Sequence, residues 1–140
     1  MSNAAILPTP AQMRAMAEAG PDGPIVMVNL LKYRDRAAYS TDRAEAKESL
    51  SGREAYQRYG MTAFQCVSAR GGSIAWMGPQ ALVFIGGAEQ EWDDIVCVRY
   101  PSRHNFLEMI SDPAYLAASY HRDAGLERTA LLCCKAGSAA

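Results

Sequence analysis

The sequence predicts an α+β domain, a mainly antiparallel sheet with helices gathered on one face. Three observations lead there. Trp92–Tyr100 is a strand-length run with Ile95, Val96, Cys97 and Val98 at its centre, and it passes directly into two capped helices. Ile25–Lys32 is a nearly continuous apolar run, rich in Val and Leu and interrupted by one Asn. Ser51-Gly52-Arg53-Glu54 is a capping box followed by apolar residues at Tyr56, Tyr59, Ala63, Phe64 and Val67, the spacing of a single helix face.

Each element carries its own start and stop signals. Thr9-Pro10-Ala11-Gln12 supplies a capping hydroxyl, a proline at the first helical position and a glutamine three residues after the cap, so a short helix begins there and Gly20 ends it. Pro21–Pro24 is turn chemistry, and the strand Ile25–Lys32 follows. Arg34–Ser49 is charged and lacks an apolar stripe, which makes it a surface excursion, partly helical at most. The capping box opens a helix over Gly52–Ala69, which Gly71-Gly72 stops. Ser73–Met77 then reads as a strand, Gly78-Pro79 as a turn and Gln80–Ile85 as a second strand completing a hairpin. Beyond Trp92–Tyr100, Pro101-Ser102 starts a helix carrying Phe106, Leu107 and Ile110. Asp112-Pro113 caps the next, which carries Tyr115, Leu116 and Tyr120 and closes at Gly125, and Thr129–Cys134 is a last strand.

That order approaches the split βαβ arrangement of ferredoxin-like domains. Alternation along the first strand sets Ile25, Met27, Asn29 and Leu31 on one face, and alternation along the later one sets Asp93, Ile95, Cys97 and Arg99 together. The expectation is that these two sets share the face that the helices leave uncovered. Such an apolar surface is of interaction size, and a homodimer packing sheet on sheet would cover it.

Composition narrows the function classes. The chain has 140 residues, enough for one domain over 1–140, with a formal net charge of -1 that gives no footprint for nucleic acid or anionic lipid. Its longest apolar runs, such as Ala81–Ile85, are far short of the roughly 20 residues of a membrane span. No basic, apolar leader is apparent, so a cytoplasmic location is expected. Cys66, Cys97, Cys133 and Cys134 lack CxxC spacing, and the two histidines, His104 and His121, cannot make a multi-histidine metal site, so neither metal nor cofactor is expected. Ser2–Ala4 resembles the remnant of a cleaved tag and carries no functional weight.

VMVNLLKYRDRA, SGREAYQRYG, EWDDIVCVRYPSRHNFLEM and DPAYLAASYHRDAGLERTALL, taken in order, resemble the family known as domain of unknown function 1330. The likeness covers about residues 25–132, with residues 1–24 left as an N-terminal helix and arm. It implies the dimeric α+β barrel superfamily, in which two ferredoxin-like protomers face their sheets and each keeps a small cavity. That superfamily includes cofactor-independent monooxygenases, lactone isomerases and haem enzymes, so membership constrains shape more than chemistry.

The candidate site residues follow from placement and chemistry. Asn29 would put an amide on the cavity face, where an unsatisfied polar group costs about 1–3 kcal/mol. Arg99, expected on the same face, could hold a carboxylate or enolate through paired N–H donors, or else bridge to Asp93. Asp93 could be a general base or a strand-start cap. His121 could shuttle a proton at the cavity mouth with Tyr115 as partner, or simply gain from the end of its helix; as a haem ligand it would have to point inward. Tyr59, Trp92, Tyr115 and Arg122 complete the expected ligand-binding set, with core packing as the alternative for the aromatics. Two functions fit: a small-molecule-binding protein, with cofactor-independent isomerase or monooxygenase activity on a small organic acid or aromatic, or a non-catalytic ligand-binding or dimerisation module.

Overall fold

The computed structural model describes residues 5–137, so Ser2–Ala4 lies outside it. Helix α1 (Pro10–Ala19) opens on the expected capping box: Thr9 Oγ1 accepts from Gln12 N at 3.1 Å, and Gln12 Oε1 accepts from Thr9 N at 2.9 Å. Strand β1 (Ile25–Tyr33) follows, then the excursion, whose one helical feature is a 3-10 turn over Ala44–Lys47. Helix α2 (Gly52–Ala69) carries the second box, with Ser51 and Glu54 reciprocally bonded at 3.0 and 2.9 Å. Strand β2 (Ser73–Pro79), strand β3 (Asp94–Tyr100), helix α3 (Arg103–Ile110), helix α4 (Pro113–Gly125) and strand β4 (Leu126–Lys135) complete the chain. Among the described residues, no helix is long and apolar enough to cross a membrane.

The four strands form one antiparallel sheet in the order β2-β3-β1-β4, with the helices on one face. Gln80–Ile85 is not a strand. The hairpin partner of β2 is β3 itself, and the intervening residues form a loop with a 3-10 turn at Ala88–Gln90. Gln80 fastens its base, with Nε2 donating to Gln90 O and Oε1 accepting from Trp92 N, both at 2.9 Å. With the β3 edge taken, the run finds no ladder, and Leu82, Phe84 and Ile85 stand 69, 90 and 87% exposed.

The register corrects the expected division of faces. Asn29 pairs with Val96, Met27 with Val98 and Ile25 with Tyr100, so those residues share a face, while Val26 pairs with Arg99, Val28 with Cys97 and Leu30 with Ile95. The Ile25–Met27–Leu31 face is the covered one: these residues are 0, 4 and 1% exposed, and the first two join Val98, Tyr100, Cys66, Val67, Phe106 and Met109 in the core. Fully burying a side chain such as Ile25 or Leu126 stabilises the fold by roughly 1.5–3 kcal/mol. The uncovered face is Val26, Val28, Leu30, Ile95 and Cys97, flanked by Trp76 and Leu132, which are 54 and 50% exposed.

α2 meets α4 at a point of close approach. A Cβ on Gly52 would overlap Arg34 O and Gly125 O, so only glycine lets the start of α2 lie against the end of α4. Arg34 links the two, its N–H donating to Gly125 O at 2.8 Å and its carbonyl accepting from Gly52 N at 3.0 Å.

Candidate functional site

Between the helix-covered face of the sheet and helices α1, α2, α3 and α4 lies a cleft of about 1540 Å³. Its walls are apolar along Met27, Val96 and Val98, and its polar groups come both from the sheet, at Asn29, Tyr33 and Asp94, and from α2 and α4. Helical spacing explains part of this. Tyr56 and Tyr59 lie three residues apart on one face of α2, and Tyr115 and Arg122 lie two turns apart on α4.

The tyrosines form a contiguous run. Ring centroids are 5.5 Å apart for Tyr33–Tyr56, 5.0 Å for Tyr56–Tyr59 and 5.6 Å for Tyr59–Tyr115, and Tyr59 OH donates to Tyr115 OH at 2.9 Å. Burial pushes the phenols of Tyr33, Tyr56 and Tyr59 well above the ordinary tyrosine value; the Asp94 carboxylate adds to the effect at Tyr33, and the Arg122 charge opposes it at Tyr56. All three therefore stay protonated, and Tyr33 and Tyr59 donate to Asp94 and Tyr115. Tyr56 OH has no hydrogen-bond partner among the described residues.

At the sheet end, Asp94 Oδ2 accepts from Tyr33 OH and from Arg53 Nη1, each at 2.7 Å, while the Arg53 guanidinium lies 4.7 Å from the Tyr33 ring centroid. Asn29 Nδ2 donates to Val96 O at 3.0 Å and lies 3.4 Å from Met27 O, which leaves its amide oxygen without a donor among the described residues. Arg122 has a side chain only 16% exposed, and its one polar contact among the described residues is Nη1 to the neighbouring Asp123 Oδ1 at 3.4 Å.

Four of the residues singled out from the sequence, Asn29, Tyr59, Tyr115 and Arg122, line this cleft. The other four are elsewhere. Arg99 is exposed on the opposite face of the sheet, paired with Val26 and Ser73, so it does not join Asn29, and it makes no ion pair among the described residues. Asp93 does not bridge to Arg99: its Oδ2 accepts from Tyr33 N at 2.8 Å and its Oδ1 is 3.6 Å from Lys32 Nζ, an arrangement that pins the irregularity between Lys32 and Tyr33. Trp92 belongs to a second hollow of about 510 Å³ on the uncovered side, with Leu30, Ile95 and the loop around Phe84, and Arg128 lies 4.0 Å from its ring centroid.

His121 also leaves the cleft. Its partner is Tyr39 rather than Tyr115: Tyr39 OH and His121 Nδ1 share a hydrogen bond of 2.6 Å, and the Tyr120 ring is 4.1 Å away. Tyr120 OH donates to Glu45 at 2.7 Å, and Arg58 Nη2 donates to Glu48 Oε1 at 2.8 Å, so the charged excursion is fastened onto α4 and α2 by this cluster. Partial burial lowers the His121 pKa, with Glu45 opposing.

Sequence reasoning missed Tyr33, Arg53 and Asp94. Asp94 follows Asp93, and the choice between them turns on which is even with Leu31 across the sheet. Tyr56 was visible through its i, i+3 relation to Tyr59.

Antiparallel strands in the order β2-β3-β1-β4 beneath one layer of helices define a ferredoxin-like α+β protein. A family model described as Domain of unknown function (DUF1330) matches residues 44–135, and the chain belongs to that family. The match begins after β1, so Asn29 lies outside it. The crystal structure of the RPA0582 protein of unknown function from Rhodopseudomonas palustris is similar at 34% identity, covering 96% of this chain and 98% of that one, with a TM-score of 0.86. A dabb family protein with a ferredoxin-like fold from Mesorhizobium loti is similar at 12% identity, 83% and 99% coverage and a TM-score of 0.53. A protein of unknown function from Bacteroides fragilis, described as dimeric with a ferredoxin-like fold, is similar at 11% identity, 81% and 96% coverage and a TM-score of 0.50. No curated protein matches this chain.

Proposed function

We propose that this protein binds a small organic molecule in the cleft between its sheet and helices, and that it does so as a homodimer whose uncovered sheet faces meet. The observation that carries the first part is the combination of an apolar-walled cleft of about 1540 Å³ with polar groups whose bonding capacity is unused: Tyr56 OH, the Asn29 amide oxygen and Arg122. Tyr59 and Tyr115 form the floor of the polar end. The homodimer is supported by the apolar strip from Val26 to Leu132 and by the dimeric state ascribed to the Bacteroides fragilis protein of the same fold.

Binding is favoured over turnover. The phenols are held protonated by burial and cannot serve as bases, while Asp93 and Asp94 both already accept hydrogen bonds. The catalytic alternative, a cofactor-independent isomerase or monooxygenase, rests on the Tyr33–Asp94 contact at 2.7 Å, the one acid–carboxylate pair at the cleft wall among the described residues. His121 and Arg99 have no part in either reading. Occupancy is tested with the neutral, environment-sensitive dye Nile red. Saturable fluorescence enhancement is expected in the native protein, reduced about tenfold in apparent affinity by Val96→Asp on the cleft wall, in line with the cost of an unpaired polar group in an apolar site. Unsaturable dye binding, or binding indifferent to that substitution, would count against the cleft.

A further inference from the structure

Resting on the reading that the cleft is a binding site, we infer that its ligand is a monocarboxylate with an apolar body, anchored at the carboxylate by Arg122. A guanidinium carries five N–H donors in a planar fork. That of Arg122 is mostly buried at the cleft wall, yet among the described residues only one donor has a contact, a long one of 3.4 Å. The acceptor, Asp123, adjoins it in sequence, and adjacent residues on a helix point apart, so this pair cannot take the bidentate form. Asp123 is 44% exposed, and an ion pair of that kind contributes little.

The second arginine at the cleft wall behaves differently. Arg53 is half exposed, donates to Asp94 at 2.7 Å and covers the Tyr33 ring, so its charge is already matched. Asp94 and Arg53 cancel, which leaves Arg122, held only by the long contact to the half-exposed Asp123, as the cleft-lining cation with unused donors among the described residues. Tyr56, which lines the same cleft and whose OH has no partner among the described residues, would supply a neutral donor at that end. One fork and one hydroxyl match one carboxylate. The walls beyond, at Met27, Val96 and Val98, offer nothing for a second charge and suit hydrocarbon. The role that the sequence suggested for Arg99 thus passes to Arg122, on the face where the cleft lies.

The test is a matched series competing with Nile red: octanoate, octanamide and 1-octanol, which share a chain and differ at the head. Octanoate is expected to displace the dye at a concentration at least tenfold lower than the other two, and this preference should be flat from pH 6 to 9, because neither a guanidinium nor an ordinary carboxylate titrates there. In Arg122→Gln the preference should fall to near unity, while Arg122→Lys keeps part of it and Arg36→Gln, exposed on the excursion, keeps all of it. If the amide and alcohol compete as well as the acid in the native protein, the carboxylate assignment fails and the cleft reading stands. If the preference survives in Arg122→Gln, or varies with pH like a histidine, the anchor is another group and the inference is overturned. If the dye never binds saturably, the cleft reading itself fails. The comparison within the native protein decides the carboxylate part even if a variant does not fold, and the conservative Arg122→Lys variant then decides the anchor, which is overturned if that variant folds and keeps the whole preference.

Discussion

Gly60 and Gly125 give one chemical change opposite expected outcomes. An added Cβ at Gly125 would sit 2.5 Å from Gly52 O, 3.1 Å from Tyr56 N and 3.4 Å from the Ala55 Cβ. The first two are backbone atoms of the α2 start, which cannot swing aside as a side-chain tip would, so α2 and α4 must separate. Overpacking of this kind costs about 1–3 kcal/mol, and the gain in helix propensity returns up to about 1 kcal/mol. A net loss of about 1–2 kcal/mol in a chain of this size lowers Tm by roughly 4–8 °C. At Gly60, inside α2, nothing lies within 4 Å of the added Cβ, so Gly60→Ala removes only the backbone-entropy penalty. That stabilises by about 0.5–1 kcal/mol, or roughly 2–4 °C. Thermal unfolding followed by far-ultraviolet circular dichroism reads both. Because Tyr56 follows Gly52 by one helical turn, Gly125→Ala should also move Tyr56 away from Arg122 and weaken Nile red binding. A Gly125→Ala protein as stable as the native one would refute the close approach of α2 and α4, and with it the geometry of the cleft's polar end.

Two further outcomes follow from particular contacts. The folded state depresses the His121 pKa, so the unfolded chain binds the extra proton more readily; the associated stability is complete above the unfolded value near 6.5 and is lost as pH falls through the lower folded value. The native protein should therefore melt at a lower temperature at pH 5.5 than at pH 7.5, with a smaller difference in His121→Asn, and equal pH responses in the two would remove His121 from the account. Leu132→Glu places a charge on the uncovered face at a residue half exposed in the single chain, so the protomer should remain folded while the mass measured by sedimentation equilibrium falls from dimer to monomer. A native protein that sediments as a monomer would remove the proposed interface.

Most of the fold was legible because its signals are local. Thr9-Pro10, Ser51–Glu54, Ser102 and Asp112 cap the four helices where the sequence puts them, since a cap and its partner lie within three residues of each other. Gln80–Ile85 has strand composition but no strand, because a strand exists only with a partner and the partner edge belongs to β2. The same non-locality governs the site. Alternation within β1 correctly grouped Ile25, Met27, Asn29 and Leu31, and alternation within β3 correctly grouped Ile95, Cys97 and Arg99; what joins one group to the other is the register, and a shift of one residue exchanges the faces. That register is fixed by contacts many residues apart, such as the bond from Asp93 N to Leu31 O at 2.7 Å, and by burial of Val98 and Tyr100 against Phe106 and Met109. Helical placement carries an ambiguity of its own: Tyr59, Tyr115 and Arg122 line the cleft, whereas His121, also on α4 and expected beside Tyr115, does not, and neither does Arg99, assigned by strand phase. His121 and Arg122 adjoin on α4 and point apart, one to the excursion and one to the cleft, so fastening the excursion and shaping the cleft's polar end both depend on how α4 is rotated on the sheet.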